Sequence, residues 1–514
     1  MRISRHAVVY TAGVLALSGL ALQFLGFVYR IVLSRMLGAE GMGVYQLVFP
    51  VISVVLAASG SGLYMAVSRL SAQYMALDRK GGLRPLLSIA IRMFLVVCLA
   101  ASAVTVLFSK TISLRLLGDG RVQTALIILP AYLLLTGLEN IHKSFFHGVR
   151  HMKPVVISEI CELVLRMAAV TALLAVFSTG EPGVSAALIV TGMVISEVFS
   201  VTFLSLTFRR SLKGRGKEEK TFFCRKIAGI ALPVSAAGLV NNLLSSANAV
   251  LIPQRLMVSG MSRQTAMQTF GLLTGMLVPL FWLPFSLIGS LSSVIIPKLS
   301  EGLALRDKAD IRRKTAKALH ATGLLAMPVV AVLIPLARPI FSLLYGQQVP
   351  GGVILPLALG SLLAYYEAAC GGILYGIGLQ KRAAALFVLG ELIQLGFTYF
   401  AAALPGVGIH GYLAGYAVSA AVLVAAQLHN VVRHTGVTLR LRNWLLTPAL
   451  SAVLSGLVAS WSYRGLAGAN LHPAAALAIA IAASASVYLM LLSLFGLKPV
   501  RYLRTLVPTE SAKS

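Results

Sequence analysis

Charge is scarce in this sequence. Only 12% of its 514 residues are Asp, Glu, Lys or Arg, about half the share of a soluble domain, which is about 25%. A chain so poor in charge cannot cover an ordinary globular surface. Acid is scarcest: 16 Asp and Glu stand against 44 Lys and Arg, a formal net charge of +28. Asp78, Asp119, Asp307 and Asp310 all fall in expected loops. Cys98, Cys161, Cys224 and Cys370 include no Cys-x-x-Cys pair, which removes a disulfide framework and a zinc site of ordinary spacing. There is no Gly-x-x-x-x-Gly-Lys-Ser/Thr loop, no His-Glu-x-x-His helix and no nucleophile elbow, so nucleotide-driven pumping, metalloprotease and hydrolase chemistry have no footing. The expectation is no enzyme, no catalytic residue, no metal ligand and no cofactor. Alternating ten-residue strands are also missing, which excludes a transmembrane β-barrel.

What the chain has is apolar length. Hydrophobic residues make up 58% of it, mean hydropathy is +0.86, and runs of about twenty apolar residues, each enough to cross a bilayer as a helix, recur throughout. Fourteen spans are predicted, near 11–33, 44–67, 89–109, 125–147, 154–177, 185–207, 226–250, 271–296, 315–336, 353–378, 383–403, 408–432, 444–466 and 473–495. The first run is too long for a signal-peptide core and is read as a retained helix. Lys and Arg collect in alternate loops. With both termini cytoplasmic, the inner segments hold 33 of them and the outer loops 9, which sets the orientation and an even number of spans. The basic residues lie in short loops with few aromatics among them, so the balance marks membrane topology and not nucleic acid.

The heaviest basic loop, 209–225, divides the chain into 1–208, an N-terminal six-helix bundle, and 226–432, a second six-helix bundle. Residues 433–514 add two helices and a basic cytoplasmic tail. Weak internal matches support a parallel repeat. Pro50 and Pro279, like Gly60-Ser61 and Gly289-Ser290, are separated by 229 residues; Gly148 and Gly376 are separated by 228.

Polar residues inside the spans are costly unless they face protein or water. Glu139, Asn140, Glu159, Glu162 and Arg166 form the candidate intramembrane network, with Glu162 and Arg166 four apart on one helix face. Glu197 and Glu391 read as isolated, Glu367 lies in the tenth span, and Arg92 lies near a helix end. Asn241 and Asn242 interrupt the seventh span and are candidate cavity residues. Arg30 has Gly26, Phe27, Leu33 and Ser34 at its helical neighbour positions and therefore no acid beside it. It either binds an anionic partner, for which a guanidinium is suited, or snorkels to the interface. Arg35 is a second cavity candidate or a surface charge. Gly38, Gly41 and Gly43 predict a turn between the first two helices. Pro50, Pro279 and Pro284 are candidate hinges, or ordinary kinks of membrane helices.

Arg30 and the glycines belong to a longer pattern, Gly-Phe-x-Tyr-Arg-x-x-Leu-Ser-Arg-x-Leu-Gly-x-Glu-Gly-x-Gly-x-Tyr-Gln-Leu, followed by Pro50. It resembles the first helical hairpin of the stage V sporulation protein B group, in the polysaccharide-flippase branch of the multidrug/oligosaccharidyl-lipid/polysaccharide exporter superfamily. Phe146 to Lys153-Pro154, with Glu162 and Arg166, is similar to the group's fourth-to-fifth helix junction, although Glu159 stands where the group usually has Gln. The resemblance implies an all-α polytopic membrane protein of about 14 helices, two pseudo-repeated six-helix bundles plus two helices, around a V-shaped central cavity. It implies a flippase of the bacterial cytoplasmic membrane that moves undecaprenyl-pyrophosphate-linked sugars, lipid II among them, by alternating access, with membrane lipids as its surroundings, a monomer sufficient, and coupling to a monovalent cation or to the membrane potential left open. The superfamily's lipid II flippases carry several cavity arginines in their first, second and eighth helices; this sequence has Arg30 there. The alternatives are a cation-coupled multidrug exporter, for which the first, second, seventh and eighth spans lack an acid, and a non-transporting scaffold for cell-wall enzymes.

Overall fold

The computed structural model describes residues 5–211, 223–283, 285–438 and 442–497, and every regular element among them is helical. Among the described residues, thirteen helices are long and apolar enough to cross a membrane, or fourteen when one bent pair counts as a single span. The protein is a multi-pass membrane protein of the expected all-α class. Pro284, most of the basic loop (212–222) and the tail from 498 lie outside the described residues.

The helices fall into two compact units, Met1–Gly275 and Met276–Ser514. The first holds α1 (Arg5–Gln46), α2 (Val48–Ser59), α3 (Ser61–Ala76), α4 (Leu83–Leu107), the short α5 (Ser109–Thr111), α6 (Gln123–Gly148), α7 (Lys153–Phe177), α8 (Pro182–Ser211), α9 (Phe223–Val258) and α10 (Arg263–Phe270). Its core is α6 against α8, with α7 on α8 and with α3 and α4 on α6. The second holds α11 (Val278–Trp282), α12 (Phe285–Ala304), α13 (Lys308–Tyr345), α14 (Ile354–Gly376), α15 (Gln380–Phe400), α16 (Ile409–Thr435), α17 (Thr447–Gly468) and α18 (Pro473–Leu494). There α14 packs on α16, α15 on α16, and α12 and α13 on α14, while α17 and α18 pair and lie along α13. Span for span, the two packing schemes correspond.

One contact repeats in detail. A side chain at Gly148 would meet the Ser68 carbonyl and the Ser71 side chain; one at Gly376 would meet the Ile296 carbonyl and the Leu299 side chain. The members of each pair are 228 residues apart. The end of the fourth span crosses the second as the end of the tenth crosses the eighth, and a glycine lets the backbones touch at both crossings.

The unit boundary at 275/276 differs from the linker position 209–225 that the charge pattern suggests. The reason is packing: α9 lies against α2 and α3, and at Gly62 a side chain would stand 2.0 Å from the Ala231 carbonyl oxygen. The linker marks a topological pause, and the seventh span beyond it still completes the first unit.

The expected glycine turn between the first two helices falls at Gly38. α1 runs on to Gln46, with its helical geometry broken at Gly38 (φ 67°, ψ −176°), a conformation cheap only for glycine. Gly43 and Gly271 serve close approach instead. A Cβ at Gly43 would lie 2.3 Å from the Met267 carbonyl oxygen, and one at Gly271 would lie 1.9 Å from the Ala39 carbonyl oxygen. Residues 39 and 267, like 43 and 271, are separated by the repeat offset of 228, so repeat-equivalent residues pack on each other reciprocally.

The second span bends by 45° between α2 and α3, at Gly60. Pro50 lies in the first turn of α2, where a missing N–H costs no helical hydrogen bond. Its carbonyl accepts from Ser53 Oγ (3.0 Å) and Ser246 Oγ (3.3 Å). Pro279 likewise occupies the first turn of α11, after a wide π-helical stretch over Gly271–Leu277. The eighth span is accordingly a broken element and not the single helix expected over 271–296.

Candidate functional site

The interior of the first unit is polar where α6, α7 and α8 meet. Three carboxylates are nearly sealed from solvent there: Glu139, Glu162 and Glu197 are 2%, 8% and 1% exposed. Lys143, one turn after Glu139 on α6, places Nζ 2.9 Å from Glu139 Oε1, 3.4 Å from Glu159 Oε1 and 3.7 Å from Glu162 Oε2. Arg166, one turn after Glu162 on α7, ion-pairs with Glu162 through Nη2 and lies 3.3 Å from Glu197 Oε1 on α8. Hydroxyls complete the shell. Thr136 Oγ1 donates to Glu197 Oε1 (2.8 Å), Arg166 Nε donates to Ser196 Oγ (3.3 Å), Ser200 donates to Glu139, and Ser158 and Ser200 share a hydrogen bond.

This arrangement answers the cost of charge in a membrane. A lone ion inside the bilayer is expensive; here two cations bridge the carboxylates of three helices, and the i, i+4 spacing supplies one internal pair on α6 and one on α7. The oxygens of Glu139, Glu162 and Glu197 converge within 4.8 Å of one another, close enough to share a metal ion. Lys143 and Arg166 already occupy the position of that counter-charge. Glu197 Oε2 keeps no hydrogen-bond partner among the described residues.

Arg30 lies outside this network. It is half-buried on α1, within electrostatic reach of the Tyr45 hydroxyl, and it makes no hydrogen bond or ion pair among the described residues. Tyr45 itself is buried against Met193, with its hydroxyl 3.9 Å from Sδ. Arg35 is exposed. Asn242 donates to the Gly238 carbonyl of its own helix (2.9 Å), so its amide is partly committed; Asn241 is half-buried on the same helix. Asn140 lies beside the Tyr64 hydroxyl. Glu40 belongs to a separate cluster, in which Arg121 reaches Glu40 (2.6 Å) and Asp119 (2.7 Å).

The second unit has a cavity of about 250 Å³ among α12, α14, α15 and α16, lined by Glu367, Glu391, Trp282, Phe285, Gln394 and Tyr416. Two acids therefore face one small aromatic-walled space. Gln394 anchors its wall, donating to the Tyr412 carbonyl (3.2 Å) and accepting from Ser419 Oγ (3.3 Å).

The sequence profile of the polysaccharide biosynthesis proteins matches residues 8–303, more than half of the chain. The chain belongs to that family. The profile of the lipid II flippase MurJ matches residues 278–350. Stage V sporulation protein B of Bacillus subtilis (strain 168) is 24% identical over 494 residues, covering 94% of this chain and 94% of that protein. Lipid II flippase MurJ of the same organism is 23% identical over 414 residues, covering 74% and 75%. The fold is shared with solved transporters. A lipid II flippase MurJ in an inward closed conformation aligns with TM-score 0.69 at 15% identity, over 93% of this chain and 98% of its own. A multidrug resistance MATE family transporter, inward-facing, aligns with TM-score 0.67 at 15% identity, over 82% and 98%. This polysaccharide biosynthesis protein family member is thus a multi-pass membrane protein that shares its fold with those transporters.

Within the family member, Glu139, Glu159, Glu162 and Arg166 come together, while Arg30, Arg35, Asn241 and Asn242 do not join them. Glu197, which reads as isolated in sequence, is part of the network, because its partners come from α6 and α7. Lys143, which the sequence reading does not single out, joins them: its spacing from Glu139 matches that of Arg166 from Glu162.

Proposed function

We propose that this protein is a flippase that moves undecaprenyl-pyrophosphate-linked sugars, of the lipid II class, across the cytoplasmic membrane by alternating access. The observation that carries the reading is Arg30, a half-buried cation in a membrane helix that no acid among the described residues neutralises. A guanidinium in that setting suits the phosphate oxygens of a lipid pyrophosphate, which it grips with two parallel hydrogen bonds. The similarity to lipid II flippase MurJ supports the same substrate class. The test is reconstitution in liposomes with a fluorescent polyprenyl-pyrophosphate sugar in both leaflets and an impermeant quencher outside. The inner-leaflet label should be quenched faster than in protein-free vesicles; equal rates at verified protein incorporation would refute the proposal.

A second reading, a cation-coupled drug exporter, draws on the likeness to the MATE transporter and on the acid pair Glu367 and Glu391. The same liposomes loaded with an amphipathic cationic dye separate it from the first: dye efflux without lipid flipping would favour the exporter.

The orientation belongs to this proposal. Loop charge puts the linker and both termini in the cytoplasm. Cys224, at the exposed start of α9 next to the linker, should resist an impermeant thiol reagent in intact cells and react in inverted vesicles. Labelling in intact cells would reverse the topology.

A further inference from the structure

A groove of about 600 Å³ runs along the first unit between α2, α4, the 112–117 segment and α9. Its wall is aliphatic, with Val54, Val104, Leu116, Leu243 and Val250 among the lining residues. Three of these are also rim residues open to the surroundings, since Val104, Leu116 and Leu243 are 53%, 58% and 48% exposed. At one end the groove meets Arg115, which is exposed and makes no hydrogen bond or ion pair among the described residues. The neighbouring acid, Asp119, is held by Arg121 at 2.7 Å and does not compete for it. The segment carrying Arg115 is tied to α9: Gln254 Nε2 donates to the Leu116 carbonyl at 2.6 Å, and Gly118, at φ +76°, packs on the same glutamine.

We infer that this groove binds one acyl chain of an anionic phospholipid, with the lipid phosphate on Arg115. The fold decides the medium. The groove is walled by membrane-spanning helices, so hydrocarbon surrounds its rim, and a slot lined mostly by aliphatic side chains offers water or sugar few hydrogen bonds. Charge decides the headgroup. An unpaired guanidinium at the end of a hydrocarbon slot favours a phosphate that keeps its negative charge over one neutralised within a zwitterionic headgroup. The slot has room for a chain and not for a whole lipid, so the second chain stays in the bilayer. The inference rests on the membrane-spanning fold and is independent of what the protein transports.

The experiment is native mass spectrometry of the purified, delipidated full-length protein titrated with palmitoyl-oleoyl phosphatidylglycerol or with phosphatidylcholine of the same chains. The native protein should retain phosphatidylglycerol about fivefold better, the preference expected of one basic side chain at a membrane surface. Arg115→Ala should remove the preference. Val104→Trp, at an exposed rim position that tolerates bulk, should lower occupancy by both lipids. Leu107→Trp, on the same helix but outside the groove and 79% exposed, should change neither. Equal retention of the two lipids by the native protein would overturn the inference, as would an undiminished preference in Arg115→Ala or undiminished occupancy in Val104→Trp. A polyprenyl phosphate that displaces phosphatidylglycerol at equal concentration would show that the occupant is the wrong lipid.

Discussion

Replacing Arg166 with alanine is expected to destabilise the first unit by about 3–5 kcal/mol, the cost of breaking a buried ion pair from one side. The side chain is 20% exposed and Glu197 opposite it is 2% exposed, so water cannot take over the lost interaction. Two carboxylates on two helices, Glu162 and Glu197, would be left facing each other with Lys143 as the remaining cation. Arg166→Lys should recover part of the loss, since one ammonium cannot serve both acids and Ser196 at once. Arg166→Leu combined with Glu162→Leu and Glu197→Gln should be less destabilised than Arg166→Ala, because the two carboxylates that the arginine neutralises lose their charge with it. Thermal unfolding in detergent measures the series. If Arg166→Ala melts with the native protein, the network contributes nothing to stability.

Arg30→Ala should behave in the opposite way. Arg30 has no ion pair among the described residues to lose, so the variant should unfold with the native protein. Transport should nevertheless fall about ten- to a hundredfold, the equivalent of a charge-assisted hydrogen bond to a phosphate. Arg30→Lys should retain part of the activity, because the charge survives but the planar fork does not. Flipping in the liposome assay, at matched protein levels and next to a melting curve, separates the two effects. Native-like flipping by Arg30→Ala would mean that Arg30 only snorkels to the interface, and a large drop in stability would mean that it is structural.

The contrast between these arginines shows what a sequence discloses. Every expected span has a helical counterpart, because length and apolarity alone decide whether a segment can cross a bilayer. The Glu162–Arg166 pair was legible because both partners sit on one helix face. Glu197 was not, since Arg166 and Thr136 reach it from α7 and α6 and no periodicity records which helices will be neighbours. The 45° bend of the second span was not legible either. Proline is conspicuous in sequence, yet Pro50 falls in a first turn where it disturbs nothing, and the bend comes at Gly60. The basic linker drew attention to a boundary that charge marks for topology, while packing assigns the helix after it to the first unit.

The crossing of Gly43 with Gly271 has a historical meaning. When residue i of one copy touches residue j of another, and j touches i in return, the contact is that of a symmetric dimer. Ala39 with Gly271, and Gly43 with Met267, make that reciprocal contact inside one chain, between positions one repeat length apart. A half-length ancestor that paired with its own copy would have needed a single small residue at this place. If duplication and fusion made the present chain, the same requirement is now written twice, and the two glycines are no longer kept equal by being one codon.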